Sequence, residues 1–253
     1  MQSEGKEDFD LRKFVPEEEA RKTFAKVFDR RTIQALHRLA TRGYFEMVEH
    51  VISTGKEAHV FQAVDKAGNA RAVKVYKTGT SDFNRMRVYI DGDRRFGKVK
   101  GSKRDIVLAW TQKEFKNLLL MNKAGVACPM PIVFFENVLV MEFIGKGGKA
   151  APTLREAPAR DIKKAYKAMV GFLARLLFKA ELVHADFSEY NILNNNEKLV
   201  VIDVGQAVLT SHPEAEAFFE RDLRNVATYF SKHGLEKTPE QVKQDVKAME
   251  GKI

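Results

Sequence analysis

Residues Leu182 to Gly205 read LVHADFSEYNILNNNEKLVVIDVG, and this stretch decides the fold. Two short apolar runs, Ile192-Leu193 and Leu199 to Ile202, flank the turn-forming Asn194-Asn195-Asn196. Apolar runs around such a turn predict a β-hairpin. His184, Asp186 and Asn191 stand before the hairpin, and Asp203 stands where its second strand ends, two residues before Gly205. A hairpin brings Asp186, Asn191 and Asp203 to one end of a small sheet. Two carboxylates and an amide oxygen make a hard, oxygen-rich site, the kind that suits Mg²⁺ bridging phosphates.

Upstream, the pattern is that of strands. Met47 to Ile52, His59 to Val64 and Arg71 to Tyr76 are β-rich, and Ser53-Thr54-Gly55 and Lys66-Ala67-Gly68-Asn69 supply turns. An antiparallel meander follows. In Ala72-Val73-Lys74-Val75 the lysine alternates with apolar residues on a half-buried strand. A buried ammonium needs a partner, unless it snorkels from an edge strand. Val107, Trp110, Glu114, Leu118 and Met121 recur at steps of three and four, sharing one face of a helix expected from Ile106 to about Asn122, with Asp105 as cap and Gly125 as stop. An acid amid large apolar residues calls for a cation. Lys74 is the candidate, and surface pairing with Lys113 or Lys116 is the alternative.

Pro131 to Glu136 and Val138 to Phe143 predict a further hairpin turning at Asn137, which empties into Gly145-Lys146-Gly147-Gly148, a Gly-rich linker that looks like an interlobe hinge. Ala157 to Ala180 predicts one long helix with Tyr166, Met169, Phe172 and Leu173 on its core face. Pro213 to His233 predicts another, and Thr238-Pro239-Glu240-Gln241 opens a last one. Near the start, Pro16-Glu17-Glu18-Glu19 opens a helix after a polar lead-in over 1–15. Asp29 caps a second helix to Arg42, on which His37 reads as an ordinary, partly buried residue.

Charge is concentrated. From Arg85 to Arg104 eight basic residues face two acidic ones, whereas the whole chain of 253 residues carries a net +9. A long loop within a compact domain is functional or mobile. The segment 78–104 therefore reads either as a contact for RNA or an acidic protein, with Tyr89 and Phe96 to stack, or as a flexible solvated insert. Ser102, among Gly101, Lys103 and Arg104, is a candidate self-phosphorylation site. Cys128 is the sole cysteine, so no intrachain disulfide forms and a reducing compartment fits. No apolar run approaches the ~20 residues of a membrane helix, and the acidic, polar start shows no signal peptide. A soluble, cytoplasmic protein without membrane association is expected.

His184-Ala185-Asp186, Asn191 and Asp203-Val204-Gly205 resemble the catalytic and metal-binding loops of the protein-kinase superfamily. Ser53-Thr54-Gly55-Lys56-Glu57-Ala58, the run His184 to Leu193, and Ile202-Asp203-Val204-Gly205-Gln206-Ala207 resemble the RIO family of atypical serine/threonine protein kinases. The match is to its Rio-one subfamily, in an archaeal type. Only 46 residues precede Met47, too few for the winged-helix domain of the second subfamily.

The resemblance implies an α+β, two-lobed kinase-like fold: a helical extension over 1–46, an antiparallel N-lobe over 47–143 and a hinge with a reduced, mainly helical C-lobe over 144–253. It implies that ATP is bound by Ser53, Thr54, Gly55, Lys56, Glu57 and Ala58 over the phosphates, by Lys74 held by Glu114, and by Met141, Glu142 and Ile144 around adenine. The 53–60 loop keeps one of the usual three glycines and reads equally well as an ordinary turn. Asp186 is implied as the catalytic base, and Asn191 and Asp203 as ligands for Mg²⁺ or Mn²⁺. The family implication extends to ATPase action with a phosphate transiently on Asp203, and to maturation of the small ribosomal subunit, with pre-ribosomal RNA and ribosomal proteins as partners. Only 50 residues follow Asp203 and none forms an Ala-Pro-Glu segment, so a peptide-docking platform is not expected. The alternatives are a small-molecule kinase of the aminoglycoside or choline kinase type, and a nucleotide-gated module binding pre-rRNA or ribosomal proteins.

Overall fold

The computed structural model describes residues 28–79, 82–97, 99 and 101–253. The lead-in over 1–15, the helix opening at Pro16, and Lys98 and Lys100 of the basic stretch lie outside the described residues. The chain packs as two compact units. Of the described residues, the first comprises 28–79 together with Ile132–Phe143, and the second those from Asp82 to Pro131 and Ile144–Ile253. Residues 82–131 thus group with the second unit, on the other side of the expected 143/144 lobe boundary.

The first unit is a five-stranded antiparallel sheet with one helix against it. Its strands are β1 (Met47–Thr54), β2 (Ala58–Val64), β3 (Ala70–Tyr76), β4 (Pro131–Phe135) and β5 (Val138–Glu142), in the order β1-β2-β3-β5-β4. Helix α1 (Arg30–Thr41) begins at Asp29, whose carboxylate accepts the Thr32 N–H at 2.7 Å. Gly43 ends it with φ +82°, a left-handed stop that glycine adopts without a Cβ clash. Leu36, Leu39 and Ala40 pack with Phe45, Phe61, Val73 and Val140 in one apolar core. His37 is half-buried, as expected. Asn137, fully buried at the β4–β5 turn, donates to Tyr76 O at 2.7 Å and to Thr32 Oγ1 at 3.0 Å, joining helix and sheet.

The second unit is mainly helical. Its helices are α2 (Phe83–Ile90), α3 (Lys103–Lys123), α4 (Ile162–Phe178), α5 (Ala215–Lys232) and α6 (Pro239–Lys247). Its short strands pair as β6 (Gly145–Lys146) with β7 (Lys149–Ala150), β8 (Leu182–Val183) with β11 (Val208–Leu209), and β9 (Ile192–Asn195) with β10 (Lys198–Val201). The predicted hairpin is β9–β10, with Ile192 opposite Val201. Helix α6 starts with the Thr238/Gln241 capping box, as expected.

Three local expectations are corrected. Ser102, not Asp105, caps α3: its hydroxyl accepts the Asp105 N–H, and the Asp105 carboxylate accepts the Ser102 N–H at 2.7 Å. The Gly-rich stretch after β5 is a tight hairpin. Gly147 and Gly148 both have positive φ, +58° and +75°, as a two-residue turn of the primed kind demands. The basic stretch is not a simple loop. It carries α2, whose Met86, Tyr89 and Ile90 are buried, and it packs on α3. Tyr89 stacks on Phe218 at 5.1 Å and is not available to a base. Phe96 lies under the Lys116 ammonium, 4.7 Å from its centroid. Arg95 is paired with Asp93 at 2.6 Å, whereas Arg85 and Arg94 face solvent.

Candidate active site

The first unit carries the nucleotide-side candidates. β1 and β2 are joined by a turn closed by the Gly55 N–H donating to Ala58 O at 2.9 Å. Lys77, just after β3, donates its ammonium to Gly55 O at 2.6 Å, and its N–H bonds Glu57 O. Ser53, Thr54, Gly55 and Lys56 are exposed at the rim of the sheet. Thr54 Oγ1 lies 3.2 Å from His59 Nδ1, and Ala58 is buried at the start of β2. Lys74 is buried in the middle of β3, opposite Val60 on β2 and Leu139 on β5. Its ammonium stands over Tyr76, 5.3 Å from the ring centroid, an attraction between cation and ring face. Met141 is opposite Ala72, and Glu142 at the exposed strand end is opposite Arg71.

The second unit carries the rest. Ile144 receives the Ala151 N–H on its carbonyl at 2.9 Å. Glu114 is 1% exposed on α3, in the apolar stripe that its spacing predicted. The surface alternative does not hold for it. Lys113 beside it is fully buried and donates to the carbonyls of Gly205, at 3.0 Å, and Ala207.

Residues 184–191 cross from β8 to β9. The Asn191 amide nitrogen donates at 2.9 Å to both the backbone oxygen and a carboxylate oxygen of Asp186. Its carbonyl oxygen is thereby the part of the amide left for a cation. Gln206 Nε2 reaches the same Asp186 oxygen at 3.4 Å. Burial, with the nearby Asp203 charge, raises the Asp186 carboxyl above the ordinary range, although the Asn191 bond opposes this. A base of raised pKa is better matched to taking a proton near neutral pH. His184 is buried edge-on to Phe187, 5.4 Å between centroids. Burial drives its pKa down to about 4 despite the neighbouring Asp203, so the imidazole is neutral.

Asp203 is exposed with φ +55°, whereas Val204 to Ala207 behind it are all buried. The β8–β11 ladder, Val183 opposite Val208, sets the two loops side by side. Asn191 and Asp203 offer one amide oxygen and one carboxylate, and among the described residues no group of three or more His, Cys, Asp or Glu is spaced to enclose a metal. So small a donor set fits Mg²⁺, which takes one or two protein ligands and keeps substrate phosphate and water.

Sequence reasoning missed Asp222. This fully buried carboxylate on α5 accepts the N–H of Ala185 at 2.8 Å and of Phe187 at 2.9 Å, on both sides of Asp186. Arg221 donates to the Ala185 carbonyl. Asp222 falls in step with Leu223, Val226 and Phe230 on the buried face, a signal that its charge obscured.

A family model for the RIO domain matches residues 59–243. The chain belongs to the RIO family. A RIO-type serine/threonine-protein kinase, Rio1, of Haloferax volcanii is 42% identical over 225 residues, 89% of this chain and 77% of the relative. The human serine/threonine-protein kinase RIO1 is 39% identical over 222 residues, 85% of this chain but 39% of that protein. Among solved structures, a Rio2 kinase in an ADP/Mg²⁺-phosphoaspartate complex from Chaetomium thermophilum superposes with a TM-score of 0.64 at 25% identity, covering 85% of this chain and 65% of that one. The α+β kinase-like architecture and the serine/threonine kinase family expected from the sequence are thus borne out.

Proposed function

We propose that this RIO chain is an ATP- and Mg²⁺-dependent phosphotransferase, with Mn²⁺ as a substitute ion. The observation that carries the reading is Asp186, Asn191, Gln206 and Asp203 gathered on two adjacent loops, with Asp186 and Asn191 directly bonded. Asp186 orients and accepts the proton of an attacking hydroxyl. Asn191 and Asp203 hold the ion, which supplies charge neutralisation at the transferring phosphoryl group. Lys74 binds α- and β-phosphate oxygens. The 53–58 turn covers the phosphates, and Met141, Glu142 and Ile144 bound the adenine. The expected lobes, 47–143 and 144–253, belong to this reading.

A second fate for the phosphate is favoured by the phosphoaspartate in the Rio2 neighbour. The exposed Asp203 carboxylate attacks the γ-phosphorus, the bond to the β–γ bridging oxygen breaks, and ADP leaves. Water then cleaves the aspartyl phosphate, for a net ATPase. Action in the cytoplasm on the maturing small ribosomal subunit, on its rRNA and proteins, rests on the family resemblance and on exposed Arg85 and Arg94. Self-phosphorylation at Ser102 would replace the hydroxyl donor to Asp105 by a phosphate set against that carboxylate at the start of α3.

Incubation with γ-labelled ATP separates free phosphate, an acid-labile aspartyl group, labelled Ser102 and a labelled added protein. Asp186→Ala and Asp203→Ala each lose turnover under this reading. Wild-type rates in both would overturn it.

A further inference from the structure

The turn behind Asp203 is held by an unusual set of side chains. Its carbonyls point at helix α3, not at a strand. Asn117 donates its amide to Val204 O and Ala207 O, both at 2.8 Å, while Lys113 donates to Gly205 O and Ala207 O. Lys113 and Asn117 are four apart, one turn of the same helix face. Gly205 lies so close to Trp110 that a Cβ there would stand 2.8 Å from the indole nitrogen.

The chain of contacts continues into the basic segment. Arg95 donates to Asn117 Oδ1 at 2.8 Å. That bond fixes which end of the amide faces the guanidinium, and so turns the NH₂ toward the two carbonyls. Arg95 in turn grips both oxygens of Asp93 through Nε and a terminal nitrogen, at 2.9 and 2.6 Å. Asp93 is 2% exposed. Its neighbour Gly92 abuts the His212 ring, leaving no room for a side chain.

A buried charge network is weak evidence for stability in itself, which invites the question of what this one holds. It ends on the residues that follow Asp203. Asp203 is a non-glycine residue in the left-handed region, a conformation that persists only where the surroundings over-determine it. We propose that Asp93, Arg95, Asn117 and Lys113 are positioning residues, a relay by which the 82–97 segment fixes the Val204–Ala207 turn and thereby sets the metal affinity of Asp203. The proposal rests on the reading of Asp203 as a metal ligand. It assigns the basic segment a role inside the site.

The test uses the whole chain with Mn²⁺ as probe. Free Mn²⁺ is followed by electron paramagnetic resonance in the presence of a non-hydrolysable ATP analogue. Nucleotide affinity is measured separately in a chelator, and amide exchange is followed over Val204–Ala207. Arg95→Met weakens Mn²⁺ binding about tenfold, as expected for a group orienting a ligand. It speeds exchange in the turn and leaves metal-free nucleotide affinity unchanged. Arg94→Ala, on the same segment but solvent-facing, changes none of these. If Arg95→Met does not fold, Arg95→Lys keeps the charge and loses the fork, with the same expectation. Wild-type Mn²⁺ affinity in a folded variant overturns the relay alone. Failure of the wild type to bind Mn²⁺ with nucleotide overturns the reading of Asp203 and the relay together.

Discussion

The buried carboxylate of Asp222 accepts the backbone N–H of Phe187 at 2.9 Å, the residue directly after the candidate base Asp186. Burial raises the Asp222 pKa to about 7 from 3.8, against the pull of its two N–H bonds. The native state therefore holds a proton there that the unfolded chain has released. This contribution to stability is complete below about pH 4 and is lost as pH rises through 7. Asp222→Asn removes that pH-dependent part, so the difference in unfolding free energy between wild type and variant shifts across pH 4–7. Asp222→Ala orphans two N–H groups, at about 1–3 kcal/mol each. Denaturant titrations at several pH values check both, and a pH-independent difference would contradict the assignment.

Asn191 has two separable roles. Its NH₂ holds Asp186, and its oxygen is free for an ion. Asn191→Ala loses both, and the Mg²⁺ concentration giving half-maximal ATP consumption rises at least about tenfold. Asn191→Asp keeps an oxygen for the ion but sets a carboxylate against Asp186. Metal dependence then stays near wild type while turnover falls. Equal effects of the two substitutions on the Mg²⁺ requirement would contradict the division.

Asn137 makes the corresponding link in the first unit. Removing its side chain strands Tyr76 O and Thr32 Oγ1 in a buried place. Asn137→Ala is expected to cost roughly 2–4 kcal/mol, the penalty of two unsatisfied polar groups, read from chemical denaturation. Asn137→Asp adds a buried charge and costs at least as much.

Much of this arrangement is written in local pattern. The β9–β10 hairpin follows from turn chemistry at Asn194 to Asn196, and the buried Glu114 follows from its place in an apolar stripe. What escaped was polar residues on the same face. Trp110, Lys113, Glu114, Asn117, Leu118 and Met121 obey one helical spacing, yet Lys113 reads as a surface residue and Asn117 gives no signal, because their partners are backbone carbonyls some ninety residues away. Backbone acceptors carry no side-chain signature. The same blindness hid Asp222, whose partners are amides. The β8–β11 ladder has two residues in each strand, too few to show a period of two. In the basic stretch, charge outweighed Met86, Tyr89 and Ile90, which one short helix buries.

Gly205 gives the sharpest check on the packing behind Asp203. A Cβ there would meet Trp110 at 2.8 Å from Nε1 and 2.9 Å from Cε2, and the indole is itself 2% exposed, with no room to withdraw. Gly205→Ala therefore destabilises by about 1–3 kcal/mol through overpacking. Trp110→Leu removes the indole atoms that meet the new methyl, at a cavity cost of its own. The two changes relieve each other, so the double variant is more stable than the sum of the single effects predicts. Thermal or denaturant unfolding of the four proteins measures this coupling. Additive effects would mean that the turn moves away from α3 instead of pressing on it, and would loosen the argument that α3 holds Asp203 in place.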